Sequence, residues 1–423
     1  NKLQPIRGTH DLLPDAMRQH RHVVETACDV AGRYGYDLMS TPVFEATEVF
    51  ARTLGETSDV VTKEMYSFED RSDPPVSITL RPELTAGAVR AWIENKIGKT
   101  QNLTRWFYLG PAFRYERPQA GRYRQFSTFG VEMIGSERPE AEAEVIAMGR
   151  DLLADLGITR YRTVINSLGT IEERAAYREA LVAFLEERAD RLSEESRRRM
   201  TTNPLRVLDS KDEGDQRAIE GAPTIQEYLG DASQEHFARV CGLLDEAGVD
   251  YSVEPQLVRG LDYYSRTVFE FLGDDLGAQN ALGGGGRYDD LVETLGGPAT
   301  PAIGFGFGIE RLVIAAGEEL EVAPARLDAY IVALDDEARR WGVGMAAELR
   351  RAGCSVLIDI LGRSMKAQMR EANRLSARTA IIVGGTELAS QRAQLKDMQA
   401  GEQQEVPFTD LVATIASMMT ESP

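Results

Sequence analysis

The chain has 423 residues, 43% hydrophobic and 27% charged, with a formal net charge of −19. That length exceeds one ordinary domain of ~100–200 residues, so two to four domains are expected, each able to bury a core. Excluded are a disordered chain, a membrane span (no apolar run reaches ~18 residues) and, with Cys28, Cys241 and Cys354 far apart and only four histidines, a disulfide framework or a resident metal site.

After Pro14, Met17, Val23, Val24, Ala27, Ala31 and Tyr34 recur at helical spacing, and Gly35 ends that helix. Residues 41–52 begin extended at Pro42 and turn helical. Strands are predicted at Ser77–Leu80 and 104–109. A hairpin is predicted with strands 113–117 and 123–134 and a loop holding Pro118 and Gly121; so short a loop demands antiparallel pairing. A helix over 139–156, closed by Gly157, precedes a strand at 161–166. The composition then shifts. Residues 170–200, rich in Glu, Arg and Ala, read as exposed helix, and a second helical stretch follows at 234–248, so the block reads as an insertion. Strands return at 251–255 and 267–272, the glycines at 283–286 read as a tight turn or bulge, a helix at 309–317 closes the domain, and 318–326 is a linker. The tail alternates: extended at 328–333, helical at 338–352, extended at 355–360, helical at 364–375, extended at 379–383. That β-α-β-α-β order predicts a small parallel or mixed sheet flanked by helices.

The amino end lacks an apolar stretch of signal-peptide length, so a reduced, cytoplasmic protein is expected. Residues 326–423 hold 12 basic and 13 acidic side chains against 36 and 54 before them, so the near-neutral tail leaves room for a local nucleic-acid contact.

Four segments carry chemistry. Arg114, Arg117, Arg122 and Arg124 fall within one hairpin, and on a strand Arg122 and Arg124 share a face with Phe126. Guanidinium groups beside an aromatic ring suit a nucleotide; a solvated basic hairpin is the plainer alternative. In Arg259-Gly260-Leu261-Asp262-Tyr263-Tyr264 the charged pair and the tyrosines make either a polar ligand site or a structural ion pair with core phenols. Gly283 to Gly286 match no phosphate-loop pattern. In Gly304-Phe305-Gly306-Phe307-Gly308-Ile309-Glu310-Arg311 a strand that another element approaches closely leads into a helix, with Arg311 in its first turn.

In this order, with Arg7-Gly8-Thr9-His10-Asp11-Leu12-Leu13-Pro14, a motif-1-like Thr41-Pro42-Val43-Phe44-Glu45, Leu80-Arg81-Pro82-Glu83-Leu84-Thr85 and Asn203-Pro204-Leu205-Arg206, these segments resemble the histidyl-tRNA synthetases, a class II aminoacyl-tRNA synthetase family. The resemblance covers essentially the whole chain. Its most discriminating pieces are 259–264 and 285–289. It implies an α+β fold, with a class II antiparallel-sheet catalytic domain (1–169 and 249–320), a helical insertion (170–248) and a C-terminal α/β anticodon-binding domain (326–423). It implies a homodimer through motif 1, ATP as substrate with Mg2+, no tightly bound cofactor, and L-histidine and tRNA(His) as the other substrates. Arg114 and Arg259 become the catalytic cations at the α-phosphate. Glu116 and Arg122 belong to the ATP site, and Phe126 and Arg311 enclose the adenine. Histidine takes Glu83, Leu84 and Thr85 at its ammonium end, and Glu132, Tyr264 and Tyr288 at its imidazole. Tyr263 completes the wall, and Arg114, Thr128 and Arg259 close the pocket. The family usually continues His-Gln after Phe126, where this chain has Ser127-Thr128, so a bridging water is expected at Thr128; Asp290 stands where glycine is common.

Arg363, Lys366, Arg370, Arg374 and Arg378 recur at spacings of 3, 4, 4 and 4, a basic stripe opposite Met365, Met369, Ala372 and Leu375 if the segment is helical. By resemblance the stripe from Arg363 to Arg374 meets tRNA phosphates. The nearest alternative, a histidine-sensing regulatory paralogue without ligase activity, would lack the tail and the catalytic arginine. A proline or threonine enzyme would lack 259–264, and an oxidoreductase would need a dinucleotide fingerprint.

Overall fold

The structure, a computed structural model, describes residues 3–55, 58, 60–259, 261, 263–274, 280–317, 320, 322 and 327–420. The chain divides into two units, Asn1–Val322 and Ala323–Pro423. The first begins with α1 (Pro14–Arg33), β1 (Asp37–Leu38), β2 (Phe44–Ala46), α2 (Thr47–Leu54), β3 (Tyr66–Glu69), β4 (Ser77–Leu80), α3 (Thr85–Glu94), β5 (Thr104–Phe113), β6 (Gln125–Ile134), α4 (Pro139–Asp155) and β7 (Tyr161–Ser167). Helices α5 (Ile171–Glu186), α6 (Glu194–Thr202), α7 (Glu213–Ala218) and α8 (Asp231–Glu246) follow. The unit ends with β8 (Ser252–Val253), β9 (Ser265–Gly273), β10 (Ala281–Arg287), α9 (Leu291–Thr294), β11 (Ala302–Gly308) and α10 (Ile309–Ala316).

Eight strands form one sheet in the order β1-β5-β6-β11-β10-β9-β7-β8, antiparallel from β5 through β7. Side chains alternate across a strand. Phe129, Val131 and Met133 of β6, Phe269 and Phe271 of β9, and Phe305 and Phe307 of β11 therefore share one face, where they form a core with Val23 and Val30 of α1 and Val145 and Leu152 of α4. Each such side chain contributes ~1.5–3 kcal/mol on burial. A one-residue slip would carry Glu132 into that core, so burial fixes the register. Gly130, Glu132, Glu270, Gly304 and Gly306 are left for the opposite face.

Of the tight turn or bulge expected at Gly283–Gly286, the turn is corrected: these glycines lie in β10, in the middle of the sheet, while the ladder shows bulge-like register shifts at both ends of the run. A Cβ at Gly285 would sit 2.0 Å from the Gly304 carbonyl oxygen, and one at Gly283 would sit 2.4 Å from the Phe307 ring. The strands lie too close for side chains there. The hairpin is shifted as well. Strands β5 and β6 pair from Thr104–Ile134 to Phe113–Gln125, so 114–124 is loop. Residues 114–117 have no apolar face to bury, and Pro118 could donate nothing to a ladder. Arg122 and Arg124 consequently do not share a strand face: Arg122 pairs with Glu116, and Arg124 lies 3.8 Å from the Tyr115 ring centroid. The single helical block expected over 170–200 is two helices. A Thr170–Glu173 capping box opens α5, and Ser193 caps α6. The buried Asp215 carboxylate ties Ser193, Ser196 and Ser210 together behind them.

The second unit contains β12 (Ala329–Ala333), α11 (Asp336–Arg351), β13 (Val356–Ile358), α12 (Met365–Arg374), β14 (Thr379–Val383), α13 (Gly385–Ser390), β15 (Arg392–Asp397), β16 (Gln403–Pro407) and α14 (Leu411–Thr420). Its sheet order is β13-β12-β14-β15-β16, parallel through β14 and antiparallel beyond. The predicted alternation is present, and α13 to α14 extend it. The basic stripe is shorter than expected. Arg363 precedes α12 and is turned inward, donating to Asp359 at 2.6 Å and to the Tyr330 hydroxyl at 3.1 Å, while Arg378 donates to the Met418 carbonyl. Lys366, Arg370 and Arg374 are exposed on the helix, Arg374 beside Glu371. The buried side is Gln368 and Ala372, whereas Met365 is 46% exposed. Gln368 is tolerated there because its amide bonds both the N–H and the carbonyl of Ala333.

Candidate active site

A cleft of about 860 Å3 opens on the side of the large sheet opposite its core. Beneath its floor lies Glu132, fully buried. The Tyr108 hydroxyl donates to one carboxylate oxygen at 2.6 Å, and the Tyr288 hydroxyl donates to the other. Glycine makes the room. Gly304 is in register with Glu132, and a Cβ on it would stand 2.0 Å from a Glu132 oxygen; a Cβ on Gly130 would meet the Tyr108 ring at 2.5 Å. Burial pushes the Glu132 carboxyl up to about 8 and raises both phenols. While Glu132 is ionised both phenol protons are committed to it and the tyrosine oxygens present acceptor lone pairs to the cleft; when protonated, Glu132 donates to one phenol and frees that hydroxyl's proton for the cleft.

At one end of this floor Glu83 caps α3. Its oxygens accept from the backbone N–H of Thr85 at 2.6 Å and of Ala86 at 3.0 Å, and burial raises its pKa in spite of those bonds. The Thr85 hydroxyl lies 3.2 Å from that of Tyr108, and Leu84 closes the corner. Tyr263 and Tyr264 form a wall, with ring centroids 4.6 Å apart and Tyr263 5.6 Å from Tyr288. Gly260 and Asp262 of the same motif lie outside the described residues.

The other end is cationic. Arg259 is ion-paired with Glu270 of β9, and its guanidinium rests on the backbone of β10, where a Cβ at Gly284 would lie 2.9 Å from Nη1. Burial alone would lower its pKa, but the Glu270 carboxylate together with the Tyr264 and Tyr263 phenols outweighs this and the pKa is raised. Arg114 donates from Nε to the Pro82 carbonyl at 2.8 Å and stands 5.7 Å from the Phe126 ring centroid. Arg311 reaches the carbonyls of Gly121, at 3.0 Å, and Ala281. Burial, and next the charge of Arg122, pull its pKa down. Like charges brought this close, with Glu116 and Glu270 as their carboxylates, make a site for a polyanion, and the half-buried Phe126 offers a ring for stacking.

Residues 8–312 match the family model described as Histidyl-tRNA synthetase. The chain belongs to the histidyl-tRNA synthetase family. Residues 328–418 match the family described as Anticodon binding domain, so the second unit is the C-terminal anticodon-binding domain of a class II α+β fold. The chain is 49% identical over 420 residues to the histidine–tRNA ligase of Rhodospirillum rubrum, covering 99% of each, and 49% identical over 417 residues to that of Gluconobacter oxydans, covering 98% of this chain and 99% of the other. Among solved structures it is similar to apo histidyl-tRNA synthetase of S. aureus, with a TM-score of 0.82, 36% identity, and coverage of 98% of this chain and 100% of that one.

Of the residues the family resemblance singles out in the first unit, Glu83, Leu84, Thr85, Arg114, Glu116, Arg122, Phe126, Thr128, Arg259, Tyr263, Tyr264, Tyr288 and Arg311 line this one cleft. Glu132 does not; it is reached through Tyr108 and Tyr288. Thr128 gives its hydroxyl to the Phe307 carbonyl at 3.0 Å, which anchors it to β11. Two participants escape a reading of the sequence, Tyr108 and Glu270. Each sits on a predicted strand, but only the tertiary structure reveals the partner: Glu132 on the neighbouring strand for Tyr108, and Arg259, in the segment between β8 and β9, for Glu270.

Proposed function

We propose that this protein is a histidine–tRNA ligase, which joins L-histidine to ATP as histidyl-adenylate with release of pyrophosphate and then passes histidine to the 3′ end of tRNA(His). One observation carries the reading: a buried carboxyl with two phenols adjoins converging guanidinium groups in a single cleft. The histidine ammonium sits at Glu83 and Thr85. Its ring N–H donates to a phenol oxygen held by Glu132, and its other nitrogen accepts from Tyr264, which fixes the tautomer. A ligand lacking either nitrogen would leave a buried polar group unpaired, the strongest form of discrimination.

In the first step the histidine carboxylate oxygen attacks the α-phosphorus and pyrophosphate leaves. Arg259 and Arg114 meet the charge that builds on the phosphoryl oxygens, and being already in place they reorganise little. ATP arrives with Mg2+, its adenine between Phe126 and Arg311, with Glu116 and Arg122 beside it. In the second step the terminal ribose hydroxyl attacks the acyl carbon and AMP leaves. The full cationic set and the tail at 328–418 favour a ligase over a regulatory paralogue.

In this reading 1–169 and 249–320 are catalytic, 170–248 an insertion and 326–423 the anticodon-binding domain, where Lys366, Arg370 and Arg374 contact phosphate and Arg363 buttresses them. The protein is cytoplasmic and dimeric. Phe44, Ile78 and Phe68 share one face of the β2-β4-β3 sheet, with Phe44 55% and Phe68 50% exposed, an apolar surface suited to a second copy. The test is histidine-dependent exchange of pyrophosphate into ATP. Arg259→Ala should slow it on the order of 10²–10³-fold; normal exchange in that variant removes Arg259 from the mechanism.

A further inference from the structure

Arg287, the last residue of β10, is completely buried. All five of its N–H groups are used. Nε donates to Glu142 Oε1 at 2.8 Å, Nη1 to the Ser136 carbonyl at 2.7 Å and to Asp289 Oδ1 at 3.2 Å, and Nη2 to Glu142 Oε2 and to the Arg138 carbonyl at 3.3 Å. Glu142, in α4, is equally buried and also holds His236 of α8 at 2.7 Å and Thr267 at 3.4 Å. Neither residue lines the cleft. Stability is a weak reason to place charge here, because a buried ion pair can often be exchanged for apolar side chains of similar volume without loss.

The position of the pair along the chain supplies a better reason. The four residues before Arg287 are glycines, which carry no side chain to fix how the strand is rotated about its axis. The register then jumps, Gly286 facing Val268 and Arg287 facing Ser265, so Thr267 and Arg266 of β9 are skipped, and Arg266 sits at φ 47°, a strained value for a side-chain-bearing residue. Such a bulge re-aims the side chains that follow it. The next side chain is Tyr288, whose hydroxyl meets Glu132 under the floor. Arg287 is thus the first side chain able to set the direction of the strand end, and a planar fork on a carboxylate sets direction as well as distance.

We infer that Arg287 and Glu142 are a positioning pair for the histidine site: their bidentate contact orients the end of β10 that faces the β9 bulge, so that the Tyr288 phenol stays on Glu132. The inference rests on the ligase reading, since histidine is the ligand whose affinity reports it. The experiment replaces both charges with volume, Arg287→Met with Glu142→Met, and measures pyrophosphate exchange with histidine and ATP varied in turn. The expected result is a folded protein whose KM for histidine rises on the order of 10–10²-fold, as for misplacement of a contact by about 1 Å, while the KM for ATP is unchanged. An unchanged histidine KM, or equal rises for both substrates, overturns the pair's role. Should the double variant not fold, Glu142→Gln, which keeps the side-chain shape, is read by the same two constants. If the natural protein itself shows no histidine-dependent exchange, the ligase reading falls and this inference with it; normal exchange in both proteins sinks the pair alone.

Discussion

Gly283 and Gly284 are neighbours in β10 that face opposite sides of the sheet, and alanine at each should fail differently. A Cβ at Gly284 would stand 2.6 Å from the Phe269 carbonyl oxygen, 2.9 Å from Arg259 Nη1 and 3.0 Å from Glu270 Cγ. Ordinary contact begins near 3.4 Å, so the guanidinium must lift by at least about half an ångström. Because the Phe269 oxygen belongs to a neighbouring strand's backbone, β10 itself must yield too. Gly284→Ala should therefore cost about 1–3 kcal/mol of stability, as overpacking does, and slow histidine activation on the order of 10–10²-fold by displacing Arg259. Gly283→Ala points into the core, where its Cβ would meet the Phe307 ring at 2.4 Å. It should destabilise at least as much while leaving activation, per folded molecule, near normal. The assay is pyrophosphate exchange normalised to the folded fraction from urea unfolding. Normal exchange in Gly284→Ala, or equal activity losses in the two variants at equal stability, would refute the idea that Gly284 exists to seat Arg259.

Glu132 predicts a pH signature. With its folded pKa raised by burial to about 8 from 4.5, the folded state keeps a proton that the unfolded chain has lost between those values. Its contribution to stability is full below about pH 4.5 and falls as pH rises towards 8, by up to about 1.4 kcal/mol per unit. Urea unfolding at pH 5, 6.5 and 8 should show this fall in the natural protein and not in Glu132→Gln; parallel profiles would mean the carboxyl ionises freely. In the second unit, Lys366→Ala with Arg370→Ala should weaken tRNA charging while pyrophosphate exchange stays intact. The salt dependence of tRNA binding should become shallower, by about one unit of log-log slope for each phosphate no longer neutralised. An unaltered salt slope would remove those side chains from the tRNA surface.

The residues that line the cleft are legible in sequence chiefly through the family resemblance, composition by itself leaving a ligand site and a structural ion pair both open. Arginines beside a phenylalanine and paired tyrosines after an arginine suggest charge and stacking wherever they lie, whereas Glu83, Leu84 and Thr85 are singled out by the resemblance alone. Element types follow for a local reason, since alternation and helical spacing are properties of neighbours. Errors arise where local pattern and tertiary demand disagree. Four consecutive glycines have the composition of a turn, yet form a central strand because β9 and β11 leave no room for Cβ atoms. Residues 114–117 are expected to continue a hairpin strand, yet have no apolar face and become a loop. Met365 is expected on the buried side of its helix and is exposed, its place taken by a glutamine that finds both bonds of Ala333. What sequence alone determined is which side chains are candidates for the chemistry and, outside the hairpin and the glycine run, on which kind of element most of them stand. What only the tertiary structure decided is pairing: Glu132 with Tyr108 and Tyr288, Arg259 with Glu270, Arg287 with Glu142 across 145 positions. The pair within the sheet is set by register and sheet order, and the pairs of Arg259 and Arg287 by the packing of a loop and of α4 against that sheet; all depend on burying a face of the whole sheet at once, which no local window of residues contains.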